Sequence, residues 1–255
     1  MPNASPRIEI LAGREELSRA AADKFCALAR EAIQRHRVFS VALSGGSTPR
    51  DFYALLAKSD GPYRGQLEWD RIHFFWGDER HVPPDHADSN FRMANEAMLS
   101  VVPVPSGNVH RIPAEMPDAD AAAQAYEEEL GRFFRPEKDQ LPHFDLALMG
   151  LGPDGHTASL FPQTAALHER HRWVVGNWVE KLHTHRITLT APVLSSAAHV
   201  LFLVAGADKA VALRDVLHGP YHPDQWPAQL FRNSSAQVTW LLDQLAARQL
   251  PKRAG

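Results

Sequence analysis

The sequence predicts an α/β fold, a mostly parallel sheet with helices on both faces. Short apolar runs alternate with longer amphipathic stretches along the whole chain, the pattern of strands and helices in parallel α/β sheets. Several of the apolar runs end in glycine-bearing turns. The 255 residues, 44% of them hydrophobic, suffice for one large core. Nothing reads as a linker rich in Gly, Ser or Pro, so residues 1–255 are expected to form a single domain.

The elements follow in order. Arg7 to Leu11 reads as an edge strand. Glu15 to Arg35 carries Leu17, Ala21, Phe25, Leu28 and Ala32 at helical spacing. Val38 to Leu43 is a buried strand, and Pro49 to Lys58 a helix whose proline sits where the N–H has no partner anyway. Arg71 to Trp76 is a strand; Phe91 to Leu99 and Asp120 to Phe134 are helices. Phe144 to Gly150, Trp173 to Val175, Arg186 to Thr190 and His199 to Ala205 are further strands. Asp208 to Leu217 and Ala236 to Gln249 read as the last helices, the second capped by Ser234 or Ser235.

Composition narrows the function classes. A net charge of −3 gives no reason to expect nucleic acid or an acidic membrane as partner. It leaves room for an anionic small molecule met by a few converging cations. The one cysteine, Cys26, lies in an apolar helical stretch and reads as a small core residue. A lone cysteine fits a reducing compartment. The N-terminal stretch lacks the basic and apolar regions of a signal peptide, and no run of about 18 apolar residues could span a membrane. A cytoplasmic protein is the expectation, as a monomer or homodimer.

Ligands of parallel sheets bind beyond the carboxyl ends of the strands, so four loops carry the chemistry. The first is Ser44-Gly45-Gly46-Ser47-Thr48. Its glycines let the backbone approach a ligand, and a helix start offers unpaired N–H groups and the positive dipole end. It reads as a phosphate cradle or as a tight turn with a hydroxyl cap; no GK[ST] follows to make a Walker motif. The second, Gly77-Asp78-Glu79-Arg80, sets three charges at the end of an apolar strand. A solvated turn is one reading and a functional edge the other.

The third loop is Gly150-Leu151-Gly152-Pro153-Asp154-Gly155-His156-Thr157. It matches the dinucleotide spacing G-x-G-x-x-G, but Pro153 interrupts it and no carboxylate ends the next strand. The alternative is a turn holding His156 beside Asp154, where an imidazole can work as a base near neutral pH. In the fourth, Gly206-Ala207-Asp208-Lys209, a lysine at a helix start opposes the dipole unless an anion binds there. The pairs His168/His171, His183/His185 and His218/His222 lack carboxylate or thiolate partners in a recognised arrangement, so no metal is expected.

Taken together, ALSGGSTP, WGDERHVPPDHADSN, FDLALMGLGPDGHTASLFP, RITLTAP and VAGADKA stand in the order seen in 6-phosphogluconolactonases, and the chain resembles that family from about residue 8 to residue 248. The resemblance implies the layered, Rossmann-like α/β fold shared with glucosamine-6-phosphate deaminase and ribose-5-phosphate isomerase. It implies hydrolysis of 6-phospho-D-glucono-1,5-lactone, a phosphosugar lactone, in the oxidative pentose phosphate pathway, with no cofactor. It makes His156 the base that activates water, with Asp78, Arg80 and Asp154 in the same pocket. Gly45, Gly46, Ser47 and Thr48 would hold the phosphate, with Arg186 and Lys209 adding positive charge. Either Asp78 or Asp154 would orient the imidazole. Two alternatives stand: an amino-sugar phosphate deaminase or isomerase, and a phosphosugar sensor without catalysis. Related deaminases carry an acid shortly after the histidine; here Phe161 holds that position.

Overall fold

The computed structural model describes residues 6–251. Within them β1 (Arg7–Leu11), β2 (Phe39–Leu43), β3 (Ile72–Trp76), β5 (Leu146–Met149), β8 (His199–Val204) and β9 (Gln237–Asp243) form a six-stranded parallel sheet. Its order is β1-β9-β8-β5-β2-β3. The central strands β2 and β5 are buried at every residue. A strand covered on both faces must be apolar throughout, which is why these read as continuous hydrophobic runs. Around the sheet lie α1 (Arg14–His36), α2 (Ser47–Ala57), α3 (Asn90–Ala97), α4 (Ala119–Phe134), α5 (Ala191–Ser195), α6 (Ala210–His218) and α7 (Gln244–Ala247).

The strand order reverses between β2 and β5. From β2 the chain adds β3 on one side; from β5 it adds β8 and β9 on the other. Loops leaving the two strands therefore diverge and open a crevice at their carboxyl ends.

A second sheet was not anticipated. β4 (Asp78–Arg80), β6 (Val174–Val179) and β7 (Thr184–Leu189) pair antiparallel in the order β4-β7-β6. The charged segment after Trp76, expected to be a loop, is its edge strand. Gly77 makes the transfer between sheets: its N–H donates to the Leu43 carbonyl of β2 at 2.8 Å, and its own carbonyl accepts from Leu189 N–H at 2.8 Å.

The expected helix from Ala236 to Gln249 is also corrected. Gln237 to Asp243 form β9, paired in parallel with both β1 and β8, and only Gln244–Ala247 is helical. Val238, Leu241, Leu242 and Leu245 fit a helical period, but Val238-Thr239-Trp240 favours a strand and open ladders on both sides decide the contest. Ser234 and Ser235 cap no helix; their hydroxyls both donate to the Ser195 carbonyl. Asp243 caps α7 instead, accepting from Ala246 N–H at 2.7 Å.

Candidate active site

The crevice between β2 and β5 opens into a cavity of about 650 Å³. All ten residues singled out in the sequence line it: Gly45, Gly46, Ser47, Thr48, Asp78, Arg80, Asp154, His156, Arg186 and Lys209.

One wall is the turn from β2 into α2. Gly46 is the N-cap, at a φ of 104° that side chains resist, and no side chain among the described residues caps the helix. The helix begins at Ser47, two residues earlier than expected, so Ser47 and Thr48 form its first turn. No acidic residue lies there, which leaves the N–H groups and dipole available to an anion. A Cβ on Gly45 would stand 1.9 Å from Asn90 Oδ1, so only glycine lets these segments meet.

The opposite wall is the loop after β5, built around a pair of side chains. His156 Nδ1 lies 2.5 Å from Asp154 Oδ1. A carboxylate can only accept, so Nδ1 carries the proton and Nε2 keeps the lone pair. Gly152 makes the pair possible: a Cβ there would fall 2.0 Å from His156 Nδ1 and 2.7 Å from Asp154 Oδ1. Gly155, at φ 76°, turns the chain where a Cβ would meet Trp226 at 2.6 Å. Phe161 stacks on the imidazole with centroids 4.1 Å apart. Burial pushes the His156 pKa down to about 4; Asp78 opposes this, while Lys209, Arg186 and Arg80 push the same way. The imidazole is therefore neutral at pH 7 and able to accept a proton.

The small sheet braces this loop from above. Asp78 is not the imidazole's partner; its Oδ2 accepts from Ser159 Oγ at 2.6 Å. Ser159 N–H donates to Thr188 Oγ1 at 3.3 Å, and Asn177 Nδ2 donates to the Ser159 carbonyl at 2.9 Å. Asn90 Nδ2 donates to the Asp78 carbonyl at 2.9 Å, tying β4 to α3. Glu79, only 2% exposed, serves structure: it accepts from the N–H groups of Arg80, Asn90 and Phe91 and from Ser89 Oγ. Burial raises its pKa against those donors.

Five cationic side chains, Arg14, Arg80, Lys181, Arg186 and Lys209, line the cavity against the carboxylates of Asp78, Asp154 and Asp208. Arg80 and Arg186 stand directly opposite each other on β4 and β7. Like charges in that register repel. Burial first and then Arg80 lower the Arg186 pKa. An anion bridging the two guanidinium groups would relieve both effects. Lys209 ends a 3-10 turn just before α6, and its Nζ lies 2.9 Å from Asp208 Oδ2.

Sequence reasoning left out the lining cations Arg14 and Lys181 and named Ser44 only as the start of the first loop. Arg14 opens α1, donates to Ser47 Oγ and to Thr48 Oγ1, the latter at 3.4 Å, and pairs with Asp51 at 3.1 Å. A basic residue in the first turn of a helix was the available signal, the same one that drew attention to Lys209. The Ser44 hydroxyl, on a residue 6% exposed, finds no protein partner among the described residues. Lys181, on the β6–β7 connection, pairs with Asp154 Oδ2; nothing local in the sequence marks it. No described helix is long and apolar enough to cross a membrane.

Comparison with known proteins agrees with this architecture. The family profile described as "Glucosamine-6-phosphate isomerases/6-phosphogluconolactonase" matches residues 12–240. A protein of Synechocystis sp. named 6-phosphogluconolactonase is 42% identical over 247 residues, 96% of this chain and 99% of that protein. The solved 6-phosphogluconolactonase from Trypanosoma cruzi superposes with a TM-score of 0.85 at 31% identity, covering 99% of each chain. A monomeric glucosamine-6-phosphate deaminase shares the fold, with a TM-score of 0.79 at 23% identity over 95% of this chain and 99% of that one. With its profile matched over most of its length and near-complete relatives above 30% identity, the chain belongs to the glucosamine-6-phosphate isomerase/6-phosphogluconolactonase family.

Proposed function

We propose that the chain is a 6-phosphogluconolactonase, hydrolysing 6-phospho-D-glucono-1,5-lactone to 6-phosphogluconate and a proton. The observation that carries this reading is the neutral His156, held by Asp154 within a cavity whose far wall is an uncapped helix start flanked by cations. The phosphate sits at the turn from Gly45 to Thr48, with Lys209 and Arg186 as counter-charges. That places the lactone carbonyl toward the loop after β5. His156 Nε2 takes a proton from the attacking water and returns it to the ring oxygen as the ester C–O bond breaks. Asp154 orients the ring and steadies the imidazolium that forms. Arg80 faces the negative charge that builds on the carbonyl oxygen. One continuous apolar core, running from Leu17 to Ala247, supports treating the whole chain as a single catalytic domain.

Phe161 favours this over deamination. It lies flat on His156, where the related deaminases carry an acid. A phenyl ring transfers no proton, so a ring-opening relay would lack a member, whereas water cleaves a lactone directly. The test is a pair of assays on the same protein. Acid release from freshly made lactone should exceed the spontaneous rate, and glucosamine 6-phosphate should yield no ammonia. Ammonia release at a rate comparable to lactone hydrolysis would overturn the assignment.

A further inference from the structure

We propose that Lys181 is a positioning residue for the His156–Asp154 pair, holding the Asp154 carboxylate in the orientation that serves the imidazole and offsetting its charge. This rests on the role given to His156 above. The two oxygens of Asp154 are divided between partners. Oδ1 lies 2.5 Å from His156 Nδ1 and 3.3 Å from the His156 backbone N–H, while Oδ2 takes the Lys181 ammonium. The same ammonium stands 4.8 Å from the centre of the Phe161 ring, and that ring stacks on His156. Lys181 thus touches both groups that flank the imidazole.

The lysine comes from a constrained place. Val179 pairs with Thr184 across β6 and β7, and residues 180–183 make a tight connection. Glu180–Leu182 form one 3-10 turn, closed by His183 in the left-handed region with its N–H on the Glu180 carbonyl at 3.1 Å. Trp178 Nε1 donates to Glu180 Oε2 at 2.6 Å and pins the tip. The hairpin therefore presents Lys181 at the mouth of the cavity, half-exposed, across from the loop it grips.

Asp154 alone would favour the imidazolium. A lysine sharing the carboxylate weakens that pull and keeps the imidazole free to accept a proton. Other charges facing His156 are Asp78 and Arg80 on β4, Arg186 on β7 and Lys209 before α6. None of these shares the Asp154 carboxylate by hydrogen bond or ion pair among the described contacts.

The test compares Lys181→Met and Lys181→Arg with the unchanged protein. Without substrate, NMR should show the His156 imidazole titrating at higher pH in Lys181→Met and near its normal value in Lys181→Arg. In lactone assays Lys181→Met should lose about two- to fivefold in kcat, the scale of a partly exposed ion pair, with KM unchanged. The acid limb of its pH profile should move upward, because the base would stay protonated to higher pH. An unmoved His156 titration with normal kcat would overturn the proposal, as would a raised KM with kcat and titration unchanged, which would make Lys181 a substrate ligand. If the unchanged protein failed to accelerate lactone hydrolysis, the functional reading would fall, and the substrate-free titration would still decide whether Lys181 governs the pair.

Discussion

The turn Gly45–Thr48 after β2 and the loop Gly150–Thr157 after β5 face each other across one crevice and are both rich in glycine, yet they use it differently. In the first, Gly46 takes a positive φ and Gly45 leaves room for Asn90, so a helix start opens on the cavity with no side-chain cap among the described residues. In the second no helix follows. Gly152 leaves room for the His156–Asp154 pair, and Gly155 turns the chain beneath Trp226. One loop offers backbone to a ligand; the other brings two side chains together. The G-x-G-x-x-G spacing of the second would mislead if composition alone were read, because that fingerprint needs the helix which the first loop has. Glycine content shows that something must come close, and the element that follows shows what.

If this division of labour holds, damage to the phosphate side, where Lys209 joins the Gly45–Thr48 turn, and damage to the loop after β5 should separate in kinetics. The largest effect belongs to His156→Ala, which should lower kcat by about two orders of magnitude or more, the scale of general-base catalysis, with little change in KM. Steady-state rates corrected for spontaneous hydrolysis would show it. Gly152→Ala should come next. Its methyl must displace the imidazole or the carboxylate, and a misplacement of that order costs roughly ten- to a hundredfold in kcat. Gly150→Ala is the matched control, since a Cβ there meets nothing within 4 Å and activity should persist. Lys209→Ala should act on binding, raising KM by about tenfold for a lost charge-assisted contact of about 1.5 kcal/mol. Equal loss in kcat would place Lys209 at the carbonyl instead.

A separate expected effect is on stability. Burial lowers the pKa of His156, and of His73 on β3, to about 4 from an ordinary 6.5, which leaves both rings neutral at pH 7. Between those values the unfolded chain binds more protons than the folded one, so stability falls as pH drops through that window. Thermal melts should show Tm declining from pH 6.5 toward 4, and a Tm that held level would contradict the neutral state assigned to these rings.

The parallel sheet was legible because its inner strands must be apolar on both faces. FSVAL and HVLFLV announce themselves. β9 was not, because its leucines satisfy a helical period as well, and only the neighbours β1 and β8 decide between them. The small sheet was hidden in β4, whose Asp78-Glu79-Arg80 looks like a solvated turn until β7 pairs with it. The site loops were visible as polar ends of apolar strands, and their residues do converge. The choice between Asp78 and Asp154 needed coordinates: Ser159, 81 positions away in sequence, claims Asp78 and leaves Asp154 to the histidine. Arg14 carried only the signal of a basic residue at a helix start and Lys181 carried none; the tertiary fold brings both to the cavity.

The central claim is that the Gly45–Thr48 turn together with Lys209 binds phosphate, while the loop after β5 does the chemistry. It is tested most directly by measuring kcat/KM for the phosphorylated lactone and for plain gluconolactone in the unchanged protein, His156→Ala and Lys209→Ala. The account predicts that His156→Ala depresses both substrates by a similar factor, while Lys209→Ala depresses only the phosphorylated one. Equal damage to both lactones by Lys209→Ala, or near-normal rates from His156→Ala, would contradict it.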